Sequence, residues 1–271
     1  MTDSHSGAST NQASSQTSSP TSNHRLSGRF AELLKVQAKL ALREPISLLT
    51  GIALPVILLA VFGFIGRAVP GNVGDSGQSI INLWTPTILV LSFIFIAFSL
   101  PNTLVRDREI GWLRRVSTTP LHPVMLLAAQ LVIDLALAAA AVVIIIGGGA
   151  LVFGATLHVQ LLPFVLSLLL AIAEIFALGL ALVALTPTQA VVSVAGGAVV
   201  LALMFLSGLW VQPAQVGDPL ATIMYYSPSG AAARALLEAV FNGSLSYSAL
   251  LTMAVYTVVF GFIAIRYFRW E

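Results

Sequence analysis

The sequence predicts an all-α polytopic membrane protein with six transmembrane helices, and three observations carry that prediction. First, 57% of the 271 residues are hydrophobic and only 9% are charged, too few polar side chains to cover a water-soluble core. Second, six runs are apolar over the roughly 20 residues a helix needs to cross hydrocarbon: about 46–66, 84–104, 124–153, 161–186, 190–211 and 247–267. Third, the thirteen basic residues divide unevenly once the amino terminus is set in the cytoplasm. Arg25, Arg29, Lys35, Lys39, Arg43, Arg106, Arg108, Arg114, Arg115, Arg266 and Arg269 then fall inside, and only Arg67 and Arg234 fall outside. That is the bias of the positive-inside rule. It places both termini in the cytoplasm of a chain crossing the plasma (inner) membrane. Basicity (net charge +2) therefore encodes topology and calls for no nucleic-acid partner. An outer-membrane barrel needs strict alternation of polarity, and the run Ala138–Ile146 has none.

Residues 1–28, rich in Ser, Thr, Gln and Asn, read as a disordered cytoplasmic tail with almost nothing to bury. No apolar core near the start suggests a cleavable signal, so the first span serves as the insertion signal. Residues 29–43 follow as an amphipathic interfacial helix, Phe30, Leu33, Leu34, Leu40 and Ala41 opposing Glu32, Lys35, Lys39 and Arg43. It either anchors the chain to anionic lipid or meets a cytoplasmic partner. Pro55 should kink the first span. A glycine-studded outer loop leads to the second span, which runs from Trp84 to Pro101 and Asn102. Its Phe93, Phe95 and Phe98 are packing residues first, and a lining for an apolar substrate as the alternative. The third span is too long to stand upright, and Gly147, Gly148 and Gly149 mark a bend or a close helix contact. Thr186–Gln189 is a tight cytoplasmic turn before the fifth span. Residues 212–246 read as one or two short outer helices resting on or dipping into the leaflet, with Arg234 and Glu238 spaced to pair. Trp84, Trp210 and Trp270 stand at span ends, as an aromatic belt requires.

Residues 105–123 are the long polar interruption in the first half of the chain. Ile110, Leu113 and Val116 recur at helical spacing, with Arg106, Arg108, Arg114 and Arg115 around them. Thr118, Thr119, Pro120 and Pro123 then end the helix and return the chain to lipid. Such a segment lies along the membrane surface and serves as a docking surface for a second protein.

Catalytic chemistry has no visible seat. The chain carries neither a GxxxxGK[ST] phosphate loop nor HExxH, has no cysteine, and places its four histidines in tails or loops. Two acids stand out, because an ionised carboxylate in hydrocarbon costs at least ~2.5 kcal/mol on insertion scales. Asp134 lies in the third span and Glu174 near the middle of the fourth, with no intramembrane Lys or Arg to pair with them. A short connecting loop favours adjacent helices and puts the two at similar depth. They are candidates for attracting a cation or holding a proton. The structural alternative is a protonated acid hydrogen-bonded to a nearby hydroxyl or carbonyl. Met204 and Phe205 complete the candidate substrate path with Phe93, Phe95, Phe98, Asp134 and Glu174.

An amphipathic amino-terminal helix, six spans and the cytoplasmic run Arg108-Glu109-Ile110-Gly111-Trp112-Leu113-Arg114-Arg115, followed by Thr119-Pro120-Leu121, together resemble the type-2 ATP-binding-cassette exporter permeases, the group that includes daunorubicin-resistance membrane subunits. The resemblance covers residues 29–271 and includes the Pro228 to Leu236 region before the last span. It implies a subunit with no ATPase or cofactor of its own that dimerises, as a homodimer in preference to a heterodimer, and docks onto ATP-binding subunits that hold ATP and Mg. It also implies that Arg106, Arg108, Glu109, Gly111, Trp112, Leu113, Arg114 and Arg115 form the coupling helix that receives nucleotide-driven movement. Members often carry Thr where this chain has Trp112. The expected function is export of a lipophilic, drug-like or lipidic compound. Export of a lipid-linked polysaccharide and ion-coupled transport through Asp134 and Glu174 are the alternatives.

Overall fold

A computed structural model describes residues 35, 38, 39, 49–68, 80–109, 123–155 and 160–267. The tail, most of the amino-terminal amphipathic segment, the glycine-rich loop, residues 110–122, all four histidines, Arg269, Trp112 and Trp270 lie outside these. The chain is all-helical: 89% helix with no strand among the described residues, as its composition predicts. Among the described residues eight α-helices follow a π-turn at Leu49–Ala53: α1 (Leu54–Ala68), α2 (Ile80–Glu109), α3 (Pro123–Phe153), α4 (Leu161–Leu185), α5 (Gln189–Leu206), α6 (Asp218–Tyr226), α7 (Pro228–Phe241) and α8 (Tyr247–Tyr267). Six candidate membrane spans fall on α1 with its π-turn, α2, α3, α4, α5 and α8.

The bundle is built around α2. Its span is 81% buried, against 17–44% for the other five, and it packs on α1, α3, α4, α5 and α7. Lipid can cover the apolar faces of the other spans, but α2 is covered by neighbouring helices on nearly every side. Accordingly Ile88, Leu89, Leu91, Phe93 and Ile94 are inaccessible to solvent. Helices α3 and α4 do not lie side by side as their short connection suggested. α3 packs on α2 and α1, whereas α4 packs on α8, α2 and α7. Gly148 and Gly149 come close to Leu59 and Thr85, so the glycine run serves close packing, and α3 continues unbroken through it.

Two prolines explain how the helices meet. Pro55 has no amide hydrogen, so the Gly51 carbonyl four residues earlier loses its helical donor. The chain answers with the π-turn, and the Ser92 hydroxyl of α2 donates to that carbonyl. Pro101 does the same inside α2, which runs on to Glu109 where the sequence suggested a stop. The carbonyl it frees, Ala97, presses on α4 at Gly179, where a Cβ would come within 2.9 Å of the oxygen. Ser92→Ala is therefore expected to leave a buried carbonyl without a donor at a cost of about 1–3 kcal/mol. Thermal unfolding in lipid nanodiscs measures it, and an unchanged midpoint would show that the hydroxyl does not support the π-turn.

The segment between the fifth and sixth spans holds two short helices, and they sit differently. Helix α5 stops at Leu206, and Gly208, at φ 84°, turns the chain with Trp210 exposed beyond it. Helix α6 is mostly exposed, but α7 is inserted among α2, α4, α5 and α8 rather than resting on the leaflet. Ser229, Gly230, Ala231, Ala232, Ala233, Ala235 and Ala239 are all buried, and small side chains let helix backbones approach closely in lipid. For the fifth and sixth spans to alternate in direction, this hairpin enters and leaves at one end of the bundle. Arg234 and Glu238 form no ion pair. Arg234 instead donates to the Ser248 hydroxyl at 3.2 Å and lies over the rings of Tyr225 and Tyr226, which ties α6, α7 and α8 together. At the same end Arg67 donates to the Val152 carbonyl and lies over Phe153, fastening α1 to α3. Trp84 is half-buried and stacked on Phe62, with ring centroids 4.3 Å apart, so it helps bind α1 to α2.

Candidate coupling site and intramembrane polar residues

Helix α2 ends at Glu109, where the chain enters residues 110–122, and this end is fastened to the rest of the bundle. Leu104 and Val105 of α2, Val183 of α4 and Val192 of α5 form a small apolar cluster of their own. Polar contacts surround it. The Ser193 hydroxyl lies 3.3 Å from Asn102 Oδ1, while Asn102 Nδ2 donates to the Phe98 carbonyl at 3.2 Å. Glu109 Oε1 accepts the backbone N–H of Gln189, the first residue of α5, at 2.8 Å across 80 positions of sequence.

The first amides of a helix have no acceptor within it, and the peptide dipoles leave that end partly positive. In α5 the Thr188 hydroxyl caps the amide of Val191 at 3.3 Å, and the Glu109 carboxylate takes that of Gln189. Glu109 is thus an exposed side chain with a fixed internal partner. Arg106 is exposed on the same turn region, and Arg108 lies in α2. Gly111, Trp112, Leu113, Arg114 and Arg115 lie outside the described residues.

The candidate path residues separate into distinct environments. Phe93 and Phe98 are buried in the hydrophobic core, and Phe95 and Met204 are partly buried against it. Phe205 is 39% exposed on α5. Asp134 is buried on α3, with Gln130 Nε2 donating to its two oxygens at 3.3 and 3.4 Å. Glu174, fully buried on α4, has no partner among the described residues for either oxygen, and neither does the Ser167 hydroxyl two turns earlier on the same helix face. Among the described residues, no hydroxyl or carbonyl hydrogen-bonds Glu174. With α2 packed against both α3 and α4, the two acids do not sit on adjacent helices.

Sequence reasoning missed Asn102, Ser193, Ser92 and the Arg234 cluster. A signal existed for Ser92, since an intramembrane proline advertises a carbonyl in need of a donor. The alanine-rich run from Pro228 to Ala239 was likewise a packing signal.

A protein-family model described as "ABC-2 type transporter" matches residues 29–241. Among curated proteins, one named "Putative transport permease ycf38" from Cyanophora paradoxa is 30% identical over 80 residues, which is 30% of this chain. The match spans 28% of that relative's length.

Proposed function

Because the chain belongs to the ABC-2 type transporter family, we propose that it is the membrane-spanning half of an exporter powered by ATP hydrolysis in a separate subunit. The family makes it a transport permease, and its members normally work with an ATPase subunit. On this reading ATP and Mg belong to the partner, two copies of the permease chain assemble as a homodimer in the plasma (inner) membrane, and the termini face the cytoplasm. The cargo is a lipophilic or drug-like compound, which includes lipids, entering from the bilayer. Phe93, Phe95, Phe98, Met204 and Phe205 belong to the helices that rearrange around it, and Asp134 and Glu174 bias the path toward cations.

The supporting observation is the continuity of α2. One helix runs from the buried centre of the bundle to Glu109, where the basic segment begins, and it stays helical through Pro101. A rigid helix delivers displacement at its end to its packing partners, which is how a docked ATPase can rearrange a bundle that has no means of hydrolysing nucleotide. Arg106, Arg108, Glu109, Gly111, Trp112, Leu113, Arg114 and Arg115 form the docking and coupling segment. Ion coupling through a joint Asp134–Glu174 site is less well supported, since α2 packs against both helices that carry them.

The test reconstitutes the purified chain in lipid vesicles with and without a candidate ATP-binding subunit. Efflux of a lipophilic fluorescent cation is expected only with both proteins and ATP, and Arg114→Ala with Arg115→Ala should reduce association at least tenfold. Transport by the chain alone under an ion gradient would overturn the proposal, as would full association by the double variant.

A further inference from the structure

Helix α5 is attached to its surroundings chiefly at its two ends. Only 17% of it is buried, and it barely touches α4, to which a short turn joins it. Its main partners are α2 and α7. At its first residue, the Gln189 amide is held by Glu109 of α2. At its last turn the Ser229 hydroxyl of α7 donates to the Leu203 carbonyl at 2.7 Å. That carbonyl already accepts the Ser207 amide at 2.8 Å, so Ser229 uses its second lone pair. Gly230 beside it permits the contact, because a Cβ there would lie 2.8 Å from the Leu206 carbonyl.

Between these two fastenings α5 is an uninterrupted helix of 18 residues. At about 1.5 Å per residue that is roughly 27 Å, close to the hydrocarbon thickness of about 30 Å. It passes through Gly196 and Gly197 without a break. Gly196 packs on Leu182 and Phe98, and a Cβ at Gly197 would meet open space.

We propose that α5 is a transmission strut, clamped by Glu109 at one end and by Ser229 at the other, that carries displacement of the coupling segment across the membrane to the inserted hairpin of α6 and α7. Within the coupling segment Glu109 is then a positioning residue: its carboxylate holds a helix of its own chain in register with α2. The consequence is two outputs from one input. Movement at the end of α2 travels along α2 into the core and, through Glu109, along α5 to the opposite end. The functional side of this rests on the coupling reading above, but the mechanical side does not, and the two can be tested apart.

Amide hydrogen exchange on the full chain in lipid nanodiscs, with no ATPase present, tests the strut itself. Glu109→Ala is expected to speed exchange about tenfold at Ala190–Val192 and also at Ala231–Ala233, while α3 around Ala138–Ala141 is unchanged. Glu109→Gln, which retains a carbonyl acceptor, should restore both regions to wild-type rates. Faster exchange confined to Ala190–Val192 would overturn the strut, whatever the fate of the coupling reading. With the ATPase added, Ser229→Ala should lower the solute moved per ATP hydrolysed at least threefold. Unchanged coupling in that variant would equally overturn the proposal, and leave the coupling reading intact.

Discussion

Gly230→Ala unseats the inserted hairpin. A Cβ at this position would overlap the Met224 carbonyl and crowd that of Leu206, and both are backbone atoms that cannot rotate away as a side chain end can. Overpacking a close helix contact costs about 1–3 kcal/mol where neighbours yield, and more where they are backbone. The contact also aligns Ser229 with Leu203 and seats the buried face of α7. The expected result is a lower thermal midpoint in nanodiscs and exposure of the α7 face. Since the protein has no cysteine, Ala232→Cys gives a reporter free of background. Membrane-impermeant maleimide should label it slowly in the wild-type background and at least tenfold faster with Gly230→Ala. Equal labelling and equal melting would mean that α7 does not occupy this position.

Glu174→Met makes the protein more stable. The Glu174 carboxyl is removed from solvent in the middle of a span, and no group among the described residues hydrogen-bonds either oxygen. A buried polar group without a partner costs about 1–3 kcal/mol, and an unbranched apolar side chain of similar volume relieves that cost. The midpoint should rise with Met and stay near wild type with Gln, which remains polar. A buried carboxyl that lowers stability is a candidate for function, because stabilising changes at working sites tend to cost activity. Both variants should therefore slow export of a lipophilic cation while leaving a neutral compound of similar size unaffected. A lower midpoint with Met would reveal a partner in the folded bundle, and equal effects on both compounds would reduce Glu174 to a packing residue.

Much of the fold could be read directly because its signals are local. The span of α4, expected over 161–186, is a helix from Leu161 to Leu185, since a run of apolar residues in lipid must satisfy every backbone group within itself. α2 shows where local reading fails. Pro101 and Asn102 mark a stop in isolation, but the bundle carries the helix eight residues past Pro101 to Glu109, because α4 and α5 pack against that extension. The Arg234–Glu238 spacing was equally sound as a local rule, and Tyr225, Tyr226 and Ser248 took the arginine instead. At the candidate site Glu109 was recognisable as a residue of interest, yet its partner 80 positions away was not.

The sequence by itself determined that this is a six-span membrane protein, where its polar interruption lies and which acids enter the bilayer, since hydropathy, charge and proline chemistry act over one or two helical turns. Only the tertiary structure decided that α2 is the central helix, that α7 enters the bundle, that α2 separates the helices of Asp134 and Glu174, and that Glu109 holds α5. All the spans are comparably apolar, so lipid gives no preference for which faces meet. That choice falls to glycines that allow backbones to touch and to hydroxyls and carboxylates that find carbonyls and amides left free at prolines and helix ends.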